Sequence, residues 1–389
     1  MQMTKTALSI GLLCLAATTP VWAQGGPQAS GGDNAARAGV GNQVTNHAEG
    51  IPEGEPGDTQ PIPQDESDHM QQAYKDYQAK NFPTATKELQ DVLKKEPNIV
   101  EAHEMLADIY LRQNQVPQAI PELETVVRMH PKDVAQWRGQ LGVAYEQTGQ
   151  FPKAIDLYQT AMLRSPKDPT IVYSYAIVLE KGGRHADAAA AFEKAATLDP
   201  TSNVNSLYAG LLYHQIGNDT KAVPYLKTAL VLGTDQKFNV YTALAEAAST
   251  AKQTAEAVKY YTLAGQANPT DFNTQANLGI LEQNAGNKAE AEAAYQKAIA
   301  LKADPKSMAS IQSNLAMLLT ADGKLDDAAT FLIQATQSDP SSVSIQDNLG
   351  AVYEKQGKKA LALAAYQKAL TINPNNGLAK DGVARLSKP

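Results

Sequence analysis

A proline recurs at the end of a unit about one-eleventh of the chain long. Pro97, Pro131, Pro166 and Pro200 are separated by 34, 35 and 34 residues. The series resumes at Pro269, Pro340 and Pro374. Each of the two long intervals, 69 and 71 residues, holds two units: one ends in Thr234, the other near Ala303 with three residues inserted at Lys306-Ser307-Met308. Nine units therefore run from Glu66 to Pro374. A period of this length describes one supersecondary element copied and stacked, because a single copy cannot bury its own apolar face. For 389 residues, length alone suggests two or three globular domains; the repeat replaces them with an array.

Two positions in every unit are small. The first helix carries Ala73, Ala107, Gly142, Ala176, Gly210, Ala245, Gly279, Ala316 and Gly350, and the second Ala85, Ala119, Ala154, Ala188, Ala222, Ala257, Ala291, Ala328 and Ala362. Small side chains let antiparallel helix backbones approach closely. Gly149, Gly183, Gly217, Gly286, Gly323 and Gly357 stand where the first helix must stop, which predicts a left-handed C-terminal cap. Pro83, Pro117 and Pro152 follow by three residues and open the second helix, where a missing N–H costs nothing.

The run Leu141-Gly142…Tyr145…Gly149…Phe151…Ala154…Tyr158…Ala161…Pro166 resembles the tetratricopeptide repeat (TPR) pattern. The first unit is looser, with Tyr77 one place late, and the unit beginning at Phe238 has Ala248, Lys252 and Thr254 where Tyr, Gly and Tyr are usual. The resemblance implies an all-α fold, a right-handed α-α superhelix (TPR solenoid) of about nine helix-turn-helix repeats with a C-terminal capping helix. The expected repeats are 66–99, 100–134, 135–168, 169–202, 203–237, 238–271, 272–308, 309–342 and 343–376. The cap occupies 377–389 and is read as a short helix, Leu378 to Leu386, interrupted by Gly382.

Upstream of the array the chain changes character. Lys5, the apolar stretch Ala7–Ala23 and the small ending Val21-Trp22-Ala23 predict a signal peptide at 1–23, removed after Ala23 rather than kept as an anchor. Removal takes Cys14, the chain's one cysteine, and Lys5, moving the formal charge from −7 to −8. A cysteine-free exported chain relies on packing, not cross-links, and the expected location is periplasmic or cell envelope, with secretion as the other outcome. Residues 24–64 are rich in Gly and Pro and poor in large aliphatics, which predicts a disordered leader.

Several chemistries are excluded. A single thiol allows no intramolecular disulfide and no Cys-Cys metal site, and the acidic balance argues against a nucleic-acid partner. None of the six histidines lies in an HExxH or paired motif, and no nucleophile elbow, P-loop or dinucleotide fingerprint occurs. His69 and His103 share a register in adjacent units and are read as unrelated surface residues. No catalytic residue, metal or cofactor is assigned, nothing indicates a homo-oligomer, and no membrane span remains after signal cleavage.

The first helices should line a concave groove. In the last three units one inward position carries Asn277, Asn314 and Asn348, able to pair with successive peptide groups of an extended chain. The row is similar to the asparagine ladder in the TPR arm of the O-linked N-acetylglucosamine transferases, whose catalytic domain has no counterpart here. The N-terminal half instead places Tyr74, Tyr77, Glu101, Glu104, Asp108, Glu146, Tyr173 and Glu180 inward, which suits a basic peptide or a sugar chain. Glu101 and Glu104 stand where the chaperone-binding members of the family have lysines, which argues against a carboxylate clamp. The expected function is a non-catalytic scaffold holding an extended or helical segment of a partner protein. The alternative is an accessory subunit of polysaccharide synthesis or export.

Overall fold

The computed structural model describes residues 64–129, 135–301 and 303–387. Among them are nineteen helices and no strand. The pairs are α1 (Gln64–Gln78) and α2 (Phe82–Lys95), α3 (Val100–Arg112) and α4 (Val116–Met129), α5 (Ala135–Gln147) and α6 (Phe151–Arg164), and α7 (Pro169–Lys181) and α8 (His185–Leu198). They continue as α9 (Asn203–Gln215) and α10 (Asp219–Val231), α11 (Lys237–Thr250) and α12 (Thr254–Ala267), and α13 (Phe272–Ala285) and α14 (Lys288–Ala300). The last are α15 (Pro305–Ala321) and α16 (Leu325–Ser338), then α17 (Val343–Lys355) and α18 (Lys359–Ile372), followed by α19 (Gly377–Leu386). The chain divides into two compact units, the first ending at Ile216 and the second beginning at Gly217. The expected signal peptide and leader lie outside the described residues, apart from Gln64 at the start of α1.

The small residues do what their spacing predicts. All nine second-helix alanines, from Ala85 to Ala362, are fully buried. The choice between alanine and glycine on the first helix follows from a contact the spacing does not reveal. A Cβ added at Gly142 would lie 2.1 Å from the Tyr158 hydroxyl oxygen, one at Gly279 2.5 Å from the Tyr295 ring, and one at Gly350 2.6 Å from the Tyr366 ring. The aromatic ring occupies the space a methyl would need, so these units take glycine. Ala73, Ala107, Ala176 and Ala316 stand at the same distance in sequence from Leu89, Leu123, Phe192 and Leu332. The rule has departures: Gly210 stands at the same distance from Leu226, Ala176 from the Phe192 ring, and Ala245 shares an apolar cluster with Tyr261.

Every unit turns between its two helices through a left-handed residue. The six expected glycines have φ from +71° to +84°, and Lys80, Asn114 and Lys252 adopt φ of 60°, 58° and 59° at the same place. In the unit around Gly149, the Gly149 N–H donates to the Glu146 carbonyl at 3.1 Å and the Gln150 N–H to the Tyr145 carbonyl at 2.8 Å, closing the helix end. The turn geometry therefore survives in the unit beginning at Phe238 despite its lysine.

Several first helices start at a short polar side chain that caps them. Asp168 accepts from the Thr170 N–H at 2.8 Å, Ser202 from the Asn205 N–H at 3.2 Å, and Asp271 from the Thr274 N–H at 2.7 Å. The three inserted residues lengthen a helix instead of forming a loop: α15 has 17 residues and is capped by Asp304, which accepts from the Lys306 and Ser307 N–H groups.

The capping helix corrects an expectation. α19 runs unbroken through Gly382. A Cβ there would sit 2.5 Å from the Tyr366 ring, so the glycine admits that ring from the outside as Gly350 does from the inside. The residue read as an interruption is a packing contact. Ion pairs also cross between neighbouring repeats of the second unit, Lys324 Nζ to Glu292 at 2.9 Å and Lys358 Nζ to Asp326 at 3.5 Å. Both lysines are about half exposed, and exposed pairs add little. The alanine and tyrosine packing carries the frame.

Candidate interaction surface on the first helices

Some first helices of successive repeats pack directly on one another, α1 on α3 in the first unit and α13 on α15 and α15 on α17 in the second, where α17 also packs on α19. No comparable packing joins successive second helices among the described residues. Helices on the inner side of a curved stack crowd together while outer ones spread, so the first helices form the inner layer of each unit. All eleven sequence-predicted residues lie on first helices, eight in the first unit and three in the second.

In the first unit these residues form two linked groups. The Tyr77 hydroxyl on α1 donates to Asp108 on α3, whose carboxylate also takes the Arg112 Nε–H at 2.5 Å. The Arg112 guanidinium lies 6.0 Å from the centre of the Tyr77 ring. Burial, reinforced by the Asp108 carboxylate, pushes the Tyr77 phenol up to about 12. Glu146 on α5 pairs with Lys181 on α7. Among the described residues the Glu180 carboxylate makes neither a hydrogen bond nor an ion pair; burial raises its pKa above the usual value, His185 and Lys181 oppose the rise, and the Glu146 charge adds to it. Tyr173 meets Phe192 edge-on at 5.7 Å, and Phe192 stacks on Tyr208 at 5.1 Å. Tyr74 and Glu104 are half-buried, and Glu101 is exposed.

The asparagine row of the second unit is partly spent on the fold. Asn277 Nδ2 donates to the Tyr261 hydroxyl at 3.1 Å and Asn348 Nδ2 to Ser313 Oγ at 3.2 Å. Asn314 is half-buried, and among the described residues its side-chain amide makes no hydrogen bond. On the same helix Met317 is 41% exposed. The row is thus one open amide between two engaged ones.

Sequence reasoning missed the cations and the histidines. Arg112 and Lys181 each follow a predicted acid by one helical turn or one unit, a spacing that could have flagged them. His69 Nδ1 lies 2.7 Å from Glu88, and His103 Nδ1 lies 2.5 Å from Glu122 with its Nε2 3.0 Å from the Pro97 carbonyl. The two histidines take separate partners, each tying its first helix to the second helix of its own repeat. Among the described residues, no group of three or more His, Cys, Asp or Glu side chains is placed to hold a metal ion, and no helix is long and apolar enough to cross a membrane.

Comparison with known proteins follows this geometry. Two family models described as tetratricopeptide repeat match the chain, one over residues 70–134, 104–169, 140–203 and 276–343, the other over 348–376. Among curated proteins, the general transcriptional corepressor ssn6 of Schizosaccharomyces pombe is 30% identical over 31% of this chain and 11% of its own length. The photosystem I assembly protein Ycf3 of Prochlorococcus marinus is 29% identical over 21% of this chain and 47% of its own. A cytochrome c-type biogenesis protein, CycH of Rhizobium meliloti, is 29% identical over 25% of this chain and 26% of its own. The chain thus spans less than half the length of these relatives. The crystal structure of the C-terminal part of a TPR repeat-containing protein from Cytophaga hutchinsonii superposes with a TM-score of 0.51 at 16% identity, over 62% of this chain and 98% of that one, a likeness of fold alone. With helical hairpins, left-handed turns and buried alanines in register, and with the family model matching more than half of its residues, the chain belongs to the tetratricopeptide repeat family.

Proposed function

We propose that this protein is a non-catalytic scaffold of the bacterial cell envelope that holds an extended or helical segment of a partner protein against its first helices. Proteins of this fold generally mediate protein–protein contact and are generally non-catalytic. The observation that carries the reading is a set of inner-layer polar groups the fold does not consume. Among the described residues, the side-chain carboxylates of Glu101 and Glu180 in the first unit make no hydrogen bond or ion pair, and neither does the Asn314 amide of the second. A half-buried carboxylate whose ionisation is opposed by burial gains from an incoming cation that pairs with it directly. We therefore assign a lysine- or arginine-bearing partner segment to the first unit.

The glycan reading rests on the inner tyrosines. Tyr77 is bound to Asp108, and Tyr173 is packed on Phe192, so neither ring offers the open platform a sugar would stack on. The protein reading is preferred for that reason. Export follows from the apolar start at Ala7–Ala23.

A photo-reactive amino acid placed at Glu101, Glu180 or Asn314 should crosslink a protein in intact cells, whereas the same group at the exposed second-helix positions Lys194 and Lys297 should not. Adducts confined to glycan, or equal crosslinking from both helix layers, would reject the proposal.

A further inference from the structure

Asn376 is the N-cap of α19, yet its side chain does not cap that helix. Its Nδ2 reaches back to α17 and lies 2.8 Å from each carboxylate oxygen of Asp347. Asp347 is 9% exposed. Asp168, Ser202 and Asp271, at the starts of other first helices, turn their side chains onto their own backbones instead. At the opposite end of α19, Arg385 grips Glu354 with two hydrogen bonds of 2.9 Å. The capping helix is thus held to α17 by an amide at its start and a guanidinium near its end.

The residue after Asn376 is Gly377, the one Asn-Gly dipeptide in the chain. The fold gives no reason for that glycine. Its φ is not positive, and an added Cβ would meet nothing within 4 Å. A helix start favours almost any other residue over glycine on grounds of backbone entropy. The glycine's distinctive property is an N–H unshielded by a side chain beside an asparagine amide.

We propose that Asn376-Gly377 is a site of spontaneous backbone-assisted deamidation, and that the change irreversibly unlatches α19. The Gly377 nitrogen attacks Asn376 Cγ and forms a five-membered imide. The Cγ–Nδ2 bond breaks, and the Gly377 amide proton leaves with the departing ammonia. Water then opens either imide carbonyl, giving aspartate or isoaspartate at 376. In the native state Asn376 has ψ of 108°, which turns the Gly377 nitrogen away from Cγ. The reaction therefore proceeds only when the ten-residue helix α19 opens locally. The product carboxylate faces the buried Asp347 carboxylate, and two acids in contact cannot both ionise. A hydrogen-bonded latch becomes a repulsion, and isoaspartate also lengthens the backbone at the cap.

The full chain, aged at neutral to mildly alkaline pH, should show by peptide mapping an amide-to-acid mass gain at 376–377 and increased hydrogen exchange across α19. The Gly377→Ala variant should lose that conversion while keeping the wild-type melting temperature, since the site has room for the methyl. Asn376→Asp should lower the melting temperature and deprotect α19 at once, and Asp347→Asn should abolish that penalty in the double variant. Conversion at the same rate in Gly377→Ala, no conversion in the wild type, or an Asn376→Asp variant as stable as the parent would each overturn the proposal.

Discussion

The two units share a frame and differ in the surface it presents. Both use a fully buried alanine in every second helix and a left-handed residue in every turn. On the first helices they diverge. The first unit carries Tyr77, Asp108, Arg112, Glu146, Lys181 and Glu180, a charged and aromatic layer. The second carries the uncharged Asn277, Ser313, Asn314, Met317 and Asn348, with its acids Asp347 and Glu354 taken up by α19. The frame sits between helices of one hairpin, whereas these side chains lie between hairpins or toward solvent. Surface chemistry can therefore change without touching the contacts that specify the repeat.

That separation can be broken or sharpened by substitution. The largest effect is expected at Phe192, fully buried between Tyr173 and Tyr208. Phe192→Ala should cost about 3–5 kcal/mol in denaturant unfolding, with lost hydrogen-exchange protection centred on α7 to α9. Next come the glycines that admit tyrosine rings. Gly350→Ala in the second unit and Gly142→Ala in the first should each cost about 1–3 kcal/mol by overpacking. Ala316→Gly, which has Leu332 in place of the ring, should cost no more than the ~1 kcal/mol of helix propensity. Similar losses from all three would dissolve the link between glycine and tyrosine.

A pH titration probes both units together. Tyr77 in the first and Tyr366 in the second have phenols pushed up to about 12, chiefly by burial and then by Asp108 and Glu354. A phenol that holds its proton more tightly when folded stabilises the fold fully below its unfolded value near 10. That contribution should vanish as pH rises from about 10 to about 12, read as falling denaturation midpoints alongside tyrosinate absorbance. Tyr77→Phe and Tyr366→Phe should each flatten part of the decline. The smallest effect is a gain: Lys252→Gly relieves a left-handed lysine at φ 59° and should stabilise by about 0.5 kcal/mol, the strain removed exceeding the added chain entropy.

What was legible in the sequence follows the same division. The alanine rows and glycine turns could be read because each reports a local requirement, a close approach or a positive φ, that repeats on the chain's own period. Lys80, Asn114 and Lys252 show that the turn persists where its residue signal fails. Gly382 was misread because its reason, the Tyr366 ring, lies on another helix. The asparagine row looked uniform in sequence, but Asn277 and Asn348 find partners on neighbouring helices while Asn314 does not. Hydrogen bonds between repeats depend on side-chain reach across a stack, which register alone does not supply.

The central claim is that inner-layer groups unneeded by the fold serve a partner. It is tested most directly by titrating the crosslinked partner segment, once identified, against the full chain and its Glu180→Lys variant in a calorimeter. The variant should bind at least about tenfold more weakly, with a shallower salt dependence and an unchanged melting temperature. Equal affinity for both proteins, or a loss of binding matched by a loss of stability, would contradict it.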